Sequence, residues 1–329
     1  MKKRCLITGV AGFIGSHLAE ALTAEGHEVL GLDSFADYYA REVKESNLSG
    51  LQGEAAFDLV EGDLARLDLG GLLRGVDWVF HQAAQAGVRA SWGDFFRTYT
   101  DNNILGTQRL LEAVRQVGSA GNGKVARIVY ASSSSIYGEA EEARTPEDAT
   151  PRPISPYGVS KLAAEQLGYL YWKQFGLPVV SLRYFTVYGP RQRPDMAFNR
   201  FIDALLSGGE VQIYGDGEQT RDFTYVGDAV AANLAAAERG RDGTVYNIGG
   251  GERASVNRVV EILEEVSGRR AKRSYHDRQA GDVRHTWADV SRAERELGFA
   301  PRVDLRDGIK RQYEWQRRGK LDGDQQRTS

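Results

Sequence analysis

Short apolar runs alternate with amphipathic stretches through the first half of the chain. Several of the amphipathic stretches repeat apolar residues at helical spacing, for example FIGSHLAEALTAEG (13–26) and NNILGTQRLLEAVRQVG (102–118). The apolar runs predict buried strands at CLIT (5–8), HEVLGLD (27–33), FDLVEGD (57–63), DWVFHQAA (77–84), ARIVYAS (126–132) and PVVSLRYF (178–185). Strand–helix alternation with apolar strands predicts an α/β fold, in which helices cover both faces of a parallel sheet.

The pattern changes from about residue 190. Loops rich in Gly, Asp and Arg are interleaved with helical patterns at 198–209, 227–240 and 255–268. This change predicts a first domain over residues 1–185 and a smaller α/β lobe over 186–320, with some later segments returning to the first domain. The polar stretch 321–329 is expected to be a frayed tail.

Composition and charge narrow the possible partners. The chain has 329 residues and a net charge of −3, and no basic block points to a nucleic acid. The single cysteine, Cys5, excludes a disulfide framework, and the five histidines show no metal-ligand spacing. No apolar run is long enough to cross a bilayer, and the first strand begins too early to leave room for a signal peptide. We therefore expect a cytoplasmic protein with no metal site and no membrane partner.

Three glycines follow the first predicted strand directly and open a helix. Gly9, Gly12 and Gly15 have the spacing GxxGxxG, which is weaker evidence than GxGxxG because the same residues can form an ordinary turn. A helix that starts at such a turn presents free N–H groups to a pyrophosphate. The second strand ends at Asp33, where a carboxylate accepts ribose hydroxyls and repels a 2′-phosphate, so NAD is favoured over NADP. Asp63, after the third strand, is either an adenine contact or a helix N-cap.

A tyrosine and a lysine stand four residues apart at the start of a predicted helix. Tyr157 and Lys161 share one helix face, and an ammonium beside a phenol lowers the pKa of the phenol. The helix also carries a second match, Tyr169 and Lys173. Twelve residues later, that pair lies about 120° around the helix and roughly 18 Å along it. We expect the first pair to act in proton transfer, and the second to lie on the surface or in a subunit contact.

Seven spaced motifs occur in the order that is typical of one enzyme family. The chain resembles the extended short-chain dehydrogenase/reductase family, in its nucleotide-sugar epimerase and dehydratase branch. The motifs are Gly9xxGly12xxGly15, Asp33, Asp63, HQAAQAG (81–87), NNILGT (102–107), ASSSSIYG (131–138) and Tyr157xxxLys161. The resemblance implies a Rossmann-type domain that binds NAD tightly, a C-terminal lobe that binds a UDP-sugar, and a homodimer. The dimer would form through a four-helix bundle of the helices near 98–117 and 156–175.

The resemblance also implies site residues. Tyr157, Lys161 and Ser133 would be catalytic, with Ser133 bonded to the reacting sugar hydroxyl. Dehydratases of this branch carry acids at the positions of Ser134 and Ser135, and decarboxylases carry an acid at that of Ser135, so epimerisation is favoured here. The residues implied to contact NAD are Gly9, Gly12, Phe13, Ile14, Gly15, Asp33, Ser34, Asp63, Leu64, Gln82, Ala83, Ala84, Asn103, Ser132, Tyr157, Lys161 and Tyr184.

The sugar is indicated by the segment after the sixth strand. Thr186 followed by RPDMA (193–197) resembles UDP-glucuronate 4-epimerases, although Ala90, Trp92 and Arg191-Gln192 depart from that pattern. Arg193 is the first candidate for the uronate carboxylate, and its alternatives are a pair with Asp195 or a contact with the diphosphate. The residues implied to contact substrate are Gln85, Gly87, Arg89, Ser133, Ser134, Thr186, Arg193, Asn199, Gln212, Tyr214, Arg221 and Asp282, with Arg278 in the same lobe.

The expected activity is NAD-dependent C4 epimerisation of a UDP-sugar, converting UDP-glucuronate to UDP-galacturonate through a 4-keto intermediate. Two other reactions stay open on the same residues: epimerisation of UDP-glucose and decarboxylation of UDP-glucuronate. A protein of another class, a regulator that senses NAD, would tolerate the loss of Tyr157, Lys161 and Ser133. All three are present, which favours an enzyme.

Overall fold

A central parallel sheet of seven strands organises the molecule. The computed structural model describes residues 1–119, 121, 124–139 and 144–327, with side chains as far as residue 321. The strands are β1 (Arg4–Thr8), β2 (Glu28–Asp33), β3 (Phe57–Glu61), β4 (Trp78–His81), β5 (Arg127–Ser133), β6 (Val179–Tyr184), β7 (Val187–Tyr188), β8 (Glu210–Tyr214), β9 (Thr220–Asp222), β10 (Thr224–Tyr225), β11 (Val245–Ile248), β12 (Arg253–Ser255) and β13 (Lys272–His276).

The strand order explains where a ligand can bind. The large sheet runs β11-β6-β5-β4-β1-β2-β3, and all of its pairs are parallel. From β1 the chain winds outward in one direction through β2 and β3, and in the other through β4, β5 and β6. The crevice between the carboxyl ends of β1 and β4 is therefore the topological switch point, where doubly wound sheets bind ligands. The prediction of a Rossmann-type α/β sheet is confirmed.

Helices cover both faces of this sheet and also build the C-terminal lobe. They are α1 (Phe13–Ala24), α2 (Arg41–Asn47), α3 (Leu69–Leu72), α4 (Phe96–Tyr99), α5 (Gly106–Ser119), α6 (Pro156–Phe175), α7 (Ala197–Ser207), α8 (Val226–Arg239), α9 (Val256–Ser267), α10 (Ser291–Leu297) and α11 (Leu305–Arg327). Short 3₁₀ turns lie at Ser49–Leu51, Arg89–Ser91, Gly93–Phe95 and Ser134–Ile136, and a π-helical stretch lies at Thr100–Leu105.

Strand alternation divides the apolar side chains between two cores. Ile7 of β1 packs in the core that contains α1 and α8, whereas its neighbour Leu6 packs in the core that contains α5. Both side chains are fully buried. Burying one such side chain stabilises the fold by about 1.5–3 kcal/mol. The two cores hold the strands in register, so the loops at the carboxyl edge of the sheet start from fixed positions.

A third core belongs to the C-terminal lobe. It joins α7, α9 and the start of α11 to the short strands β8 and β9, through side chains such as Phe198, Phe223 and Ile309. β8 pairs in parallel with β13, and β9 pairs with β12 in antiparallel fashion. The chain also returns to the first domain, because β11 pairs with β6 at the edge of the large sheet. β11 follows α8, so the chain returns to the main sheet between two segments of the lobe.

The last helix, α11, extends into the stretch that was predicted to be a tail. Buried Leu305, Ile309 and Tyr313 anchor α11 in the third core, and the helix then continues through Arg327. Once such a helix has started, each further residue adds a backbone hydrogen bond at low cost. Residues 328 and 329 of the predicted tail lie outside the described residues. Among the helices of the described part, none is long and apolar enough to span a membrane.

Candidate functional site

The turn between β1 and α1 has room for glycine but not for larger residues. Gly9 has a φ of +72°, and a Cβ placed on it would lie 2.7 Å from the backbone nitrogen of Ala83. A Cβ on Gly15 would lie 2.2 Å from the carbonyl oxygen of Gly9. The first helical turn after Gly12 receives no side-chain cap in the described structure. Its N–H groups therefore face the crevice at the switch point, where an anionic phosphate fits.

Asp33 holds the glycine turn from the end of β2. Its carboxylate is almost fully buried and accepts hydrogen bonds from the backbone nitrogens of Ala11 (3.0 Å) and Phe35 (2.9 Å). The ammonium of Lys44 lies 3.8 Å from the carboxylate and donates to the carbonyl oxygen of Ala36 at 2.9 Å. Burial lowers the pKa of Lys44, and the charge of Asp33 opposes this shift. The carboxylate thus faces the cavity from a fixed position.

One elongated cavity joins these parts at the carboxyl edge of the sheet. Its wall brings together nearly all the residues that were predicted to contact the cofactor, and it also includes Gln85 and Arg193 from the predicted substrate set. The cofactor candidates in the wall are Gly9, Gly12, Phe13, Ile14, Gly15, Asp33, Ser34, Asp63, Leu64, Gln82, Ala83, Ala84, Ser132, Tyr157, Lys161 and Tyr184. The contacts of these residues with NAD stay a prediction.

Asn103 is buried and hydrogen-bonded to its neighbours. Its amide oxygen accepts from the backbone nitrogen of Gln85 (2.7 Å), and its amide nitrogen donates to the carbonyl oxygen of Gln85 (3.0 Å) and to the hydroxyl of Ser160 (2.9 Å). The π-helical stretch turns this side chain inward, and Asn102 lines the cavity instead. Asn103 therefore fixes the Gln85 backbone. A contact with the cofactor stays a prediction.

His81 connects β4 to the helix below the cavity. The Thr107 hydroxyl donates to the Asn103 carbonyl oxygen (2.6 Å), so it can accept only from a protonated Nε2 of His81 (2.9 Å). Nδ1 of His81 then accepts from the Thr8 hydroxyl at 2.7 Å. Burial, with a smaller effect of Lys161, lowers the pKa of His81 to about 3. His81 is therefore a neutral packing and hydrogen-bonding residue.

Tyr157 and Lys161 lie side by side at the start of α6. Burial raises the pKa of Tyr157, while a hydrogen bond from Ser133 and the charge of Arg193 oppose the shift. This differs from the expected lowering by Lys161. The ammonium of Lys161 instead donates to the carbonyl oxygen of Ala131 at 2.7 Å, and burial lowers its own pKa to about 7. The groups that favour the Tyr157 phenolate are therefore Ser133 and Arg193.

The serine run divides its hydroxyls among separate tasks. Ser132 donates to the buried carboxylate of Glu165 (2.6 Å), and Ser133 accepts from the backbone nitrogen of Ser135 (3.1 Å). Glu165 is also paired with Arg183 at 2.6 Å, and both side chains are almost fully buried. Sequence reasoning missed this pair. Its signal was the position of Glu165 four residues after Lys161, on the same face of α6.

The loop after β7 places Arg193 in a pair with Asp195, while its contact with the substrate stays a prediction. Its Nε and Nη2 atoms donate to the two carboxylate oxygens of Asp195 at 2.9 and 3.0 Å. The Tyr38 hydroxyl donates to the same carboxylate at 3.2 Å. Arg193 nevertheless lines the cavity, and its charge acts on Tyr157. Arg193 is thus paired with Asp195 and also stays close to the proposed reaction centre.

A second group of predicted substrate residues lies together beyond this cavity wall. Arg89 is 2.8 Å from the carboxylate of Asp282, and its guanidinium lies 4.1 Å from the centroid of the Tyr214 ring. Gln212 accepts from Arg200 at 2.6 Å. Burial lowers the pKa of Arg221, and the charges of Asp282, Arg278 and Arg89 also act on it. These residues form a polar cluster with several guanidinium groups, which suits an anionic ligand.

The remaining predicted substrate residues hold separate positions. The amide of Asn199 is engaged by the Gln192 carbonyl oxygen (2.7 Å) and by Gln316 (3.3 Å). Gly87 has a φ of +104°, and a Cβ there would lie 2.5 Å from the Tyr38 hydroxyl oxygen. Thr186 and Ser134 are partly exposed. Substrate contacts by these four residues stay predictions, and for Asn199 they would require its present hydrogen bonds to be exchanged.

Sequence reasoning missed several residues that shape the cavity. Asn233 of α8 donates to the Tyr184 hydroxyl (2.7 Å) and accepts from Gln82 (3.0 Å), which fixes two wall residues from below. Tyr38 and Lys44 enter the wall from the segment after β2. No local pattern marks Asn233. Over the residues that the structure describes, no cluster of His, Cys, Asp or Glu could hold a metal ion.

Known proteins are similar to this chain over most of its length. The NAD dependent epimerase/dehydratase family matches residues 5–249. A protein of Bacillus subtilis (strain 168) named as an uncharacterized UDP-glucose epimerase, YtcB, is 46% identical over 93% of this chain and 95% of its own length. The UDP-glucuronate 4-epimerase of Thermodesulfobacterium geofontis (strain OPF15) is 38% identical over 94% of this chain and 95% of its own length.

A solved structure with bound ligands is similar over almost the full length. It is the UDP-glucuronic acid 4-epimerase from Bacillus cereus in complex with UDP-glucuronic acid and NAD. The TM-score is 0.91 at 43% sequence identity, and the alignment covers 96% of this chain and 99% of that one. The similarity therefore extends through both the large sheet and the C-terminal lobe.

Proposed function

The chain belongs to the NAD dependent epimerase/dehydratase family, and from this premise we propose that it epimerises UDP-glucuronate at C4 to UDP-galacturonate. The observation that carries the proposal is the placement of Tyr157 and Lys161 in the cavity wall, with Ser133 acting on the Tyr157 phenol. In this group Ser133 favours the Tyr157 phenolate, and serines occupy positions 134 and 135, where elimination or decarboxylation would use an acid. This group can move a proton but has no second acid for a leaving hydroxyl.

The cavity fits NAD by the chemistry of its wall. The glycine turn leaves backbone space for a pyrophosphate at the start of α1, and the Asp33 carboxylate suits ribose hydroxyls and disfavours a 2′-phosphate. Lys161 and Tyr184 line the opposite part of the cavity, where a nicotinamide ribose would be held. Bound NAD would supply the hydride acceptor and donor for C4 of the sugar.

Residues of the chain then transfer the proton of the C4 hydroxyl. Tyr157, as phenolate, takes the proton of the C4 hydroxyl, and Ser133 hydrogen-bonds the C4 oxygen while this happens. The same phenol returns the proton after the 4-keto sugar has turned about its phosphate linkage. Arg193 favours the phenolate by its charge. The nucleotide stays anchored in the C-terminal lobe, so the sugar alone changes orientation.

A uronate substrate makes a demand on the site that a neutral hexose does not make. Oxidation at C4 produces a β-keto acid, which loses carbon dioxide when the C5–C6 bond aligns with the carbonyl π system. The carboxylate must therefore be held by directional donors. Arg193 uses Nε and Nη2 toward Asp195, which leaves its Nη1 group, on the other edge of the guanidinium, for a second carboxylate. Thr186 offers a hydroxyl from the end of β6.

UDP-glucose is the second candidate substrate, and one observation favours it. Arg193 is already paired with Asp195, so a sugar without a carboxylate would leave no unpaired cation at this position. The B. subtilis relative is also named a UDP-glucose epimerase. The two candidates differ in whether the sugar's own carboxylate adds to the binding energy.

A side-by-side assay tests the proposal. The purified protein is incubated with UDP-glucuronate or UDP-glucose, and the products are separated by chromatography. We expect UDP-galacturonate from the uronate at a higher kcat/KM than UDP-galactose from UDP-glucose. A reversed preference would establish the second candidate. Formation of UDP-xylose as the main product would show a decarboxylase, and no conversion of either sugar would refute both proposals.

We further propose that two copies of the chain associate through α5 and α6. These two helices pack against each other. Large apolar side chains are exposed on α6, at Val159, Tyr169, Leu170 and Phe175, and at Leu105, the last residue before α5. A row of exposed apolar side chains on adjacent helices is costly in water and is typical of a subunit interface. Two such helix pairs would form the four-helix bundle that the family resemblance implies.

A further inference from the structure

Residues 190–195, called the strap here, are fastened to the cofactor side of the molecule at three points. The carbonyl oxygen of Pro190 accepts from Nε2 of His17 at 2.9 Å. Nη2 of Arg191 donates to Glu20 at 2.5 Å. The carboxylate of Asp195 accepts from the Tyr38 hydroxyl at 3.2 Å. The strap therefore bridges residues that are more than 150 positions apart in the chain.

The fastening points belong to the elements that form the cofactor cavity. His17 and Glu20 lie on α1, the helix whose first turn faces the phosphate site. Tyr38 follows Asp33 and lines the same cavity. Between the fastening points, Arg193 of the strap also lines the cavity. Any shift of α1 relative to the strap therefore moves Arg193 relative to Tyr157.

The backbone at Arg191 indicates that the ion pair determines the path of the strap. Arg191 has a φ of +64°, in the left-handed region that residues with a Cβ rarely adopt. Such a conformation persists where the surroundings hold it. The Arg191 side chain is 17% exposed and that of Glu20 is 33% exposed, and Nη1 of Arg191 also lies 3.4 Å from the Ser16 hydroxyl. The pair is thus far less solvated than a typical surface ion pair, which would contribute little.

We propose that Glu20 and Arg191 are positioning residues that hold Arg193 at the substrate and couple the binding of the UDP-sugar to the binding of NAD. The identity of the sugar ligand rests on the proposed function above. Because the strap is fastened to α1, a sugar that orders the strap also restrains the helix over the phosphates. By linkage, the coupling acts equally in both directions.

A charge-swap experiment tests this. Glu20→Arg and Arg191→Glu each place like charges together, and the double variant restores an ion pair in the reverse order. None of the three changes adds or removes a Cβ at the left-handed position. We expect each single variant to raise the KM for UDP-glucuronate about tenfold, with kcat changed less than about threefold, because binding common to ground and transition states is lost. The double variant should return the KM to within about threefold of wild type.

Two further readouts do not require turnover. In the wild type, saturating UDP-glucuronate should slow the exchange of bound NAD, measured with labelled NAD. In both single variants this slowing should be lost, and the double variant should regain it. Hydrogen exchange of the amides in 189–196 should speed up in the single variants alone. Loss of a merely stabilising contact would lower the melting temperature without abolishing the effect of the sugar on NAD exchange.

A matched control and a milder variant complete the test. Glu265→Arg makes the same change at a more exposed ion pair, with Arg306 in the C-terminal lobe, and should leave the KM and NAD exchange at wild-type values. Glu20→Gln removes the charge without repulsion and should act in the same direction as Glu20→Arg, but more weakly. Unchanged KM and NAD exchange in the single variants, or no recovery in the double variant, would overturn the proposal. If the wild type epimerises neither sugar, the proposed function fails, while NAD exchange and hydrogen exchange still test the strap.

Discussion

The ammonium of Lys161 donates a 2.7 Å hydrogen bond to the carbonyl oxygen of Ala131, the residue immediately before the serine run. The bond joins α6 to the end of β5, so it fixes Tyr157 and Lys161 relative to the serine run. The cost is an ammonium that is almost fully buried, with its pKa lowered to about 7. This cost makes the stability of the protein depend on pH.

Lys161→Met should change that pH dependence. Between pH 7 and about 10.4, the ordinary lysine value, the unfolded chain holds the Lys161 proton and the folded chain does not. Unfolding then takes up a proton, so the wild type gains stability as pH rises, whereas below pH 7 both states are protonated and the full penalty stays. We expect the wild type to gain about 2–3 kcal/mol relative to Lys161→Met between pH 7 and 9.5. Urea unfolding at both pH values measures this, and parallel curves would contradict it.

Tyr157→Phe should separate chemistry from cofactor binding. The variant keeps the ring but loses the group that exchanges the C4 proton, so we expect kcat to fall by about 10²–10⁴-fold. Bound NAD, measured by absorbance after denaturation, should stay near wild-type occupancy. Tyr169→Phe is the matched control, since Tyr169 begins the second match on the same helix and is 48% exposed. Equal loss of activity in both variants would contradict the assignment of the first pair.

Glu165→Gln should be strongly destabilising, because it leaves the buried guanidinium of Arg183 without its anion. Breaking a buried pair in this way costs about 3–5 kcal/mol. The control is Glu112→Gln, which removes a partly exposed pair with Arg115 on α5 and should cost at most about 1 kcal/mol. The free energies of unfolding in urea compare the two variants. A small effect of Glu165→Gln would show that the pair does not support the serine strand.

Leu170→Glu should weaken self-association. The side chain is 47% exposed on α6, and a carboxylate there would be buried without a partner if two such helices meet. We expect the wild type to elute as a dimer and the variant as a monomer in size-exclusion chromatography with light scattering. Leu321→Glu, at an exposed apolar position on α11, should leave the dimer intact. A wild type that is monomeric at micromolar concentration would exclude the proposed interface.

Local patterns were enough to predict much of the fold and the cavity wall. Each of three features depends on residues that are close in sequence: the glycine turn, the position of Asp33 at the end of β2, and the shared helix face of Tyr157 and Lys161. Spacing along the chain therefore predicts each of these local arrangements. The strands β1 to β6 follow the apolar runs closely, because a strand buried on both faces must be apolar along its length. The exception in burial is β3, which lies at the edge of the sheet and is partly exposed. The position of Asn103 was harder to predict, since a π-helical stretch changes which face of the helix it occupies.

Other parts depended on contacts between distant segments. Asn233 reaches Gln82 across 151 residues, and His17 reaches Pro190 across 173 residues. Neither contact has a local pattern, because each exists only once the C-terminal segments have returned to the large sheet. The directions of the Tyr157 and Lys161 pKa shifts also depend on the packed fold. Burial is a property of the packed fold, and it outweighed the pairwise effect that spacing suggested.

The sequence by itself thus determined the alternation of strands and helices, the glycine turn, the acid at the end of β2 and the shared face of Tyr157 and Lys161. These depend on backbone geometry and on periodicities of a few residues. The tertiary structure alone decided that Arg193 pairs with Asp195 beneath Tyr38, that Glu165 supports the serine run, and that Arg191 fastens the strap to α1. Those relationships depend on which side chains burial brings together and leaves without water, and that becomes defined only when the whole chain has packed.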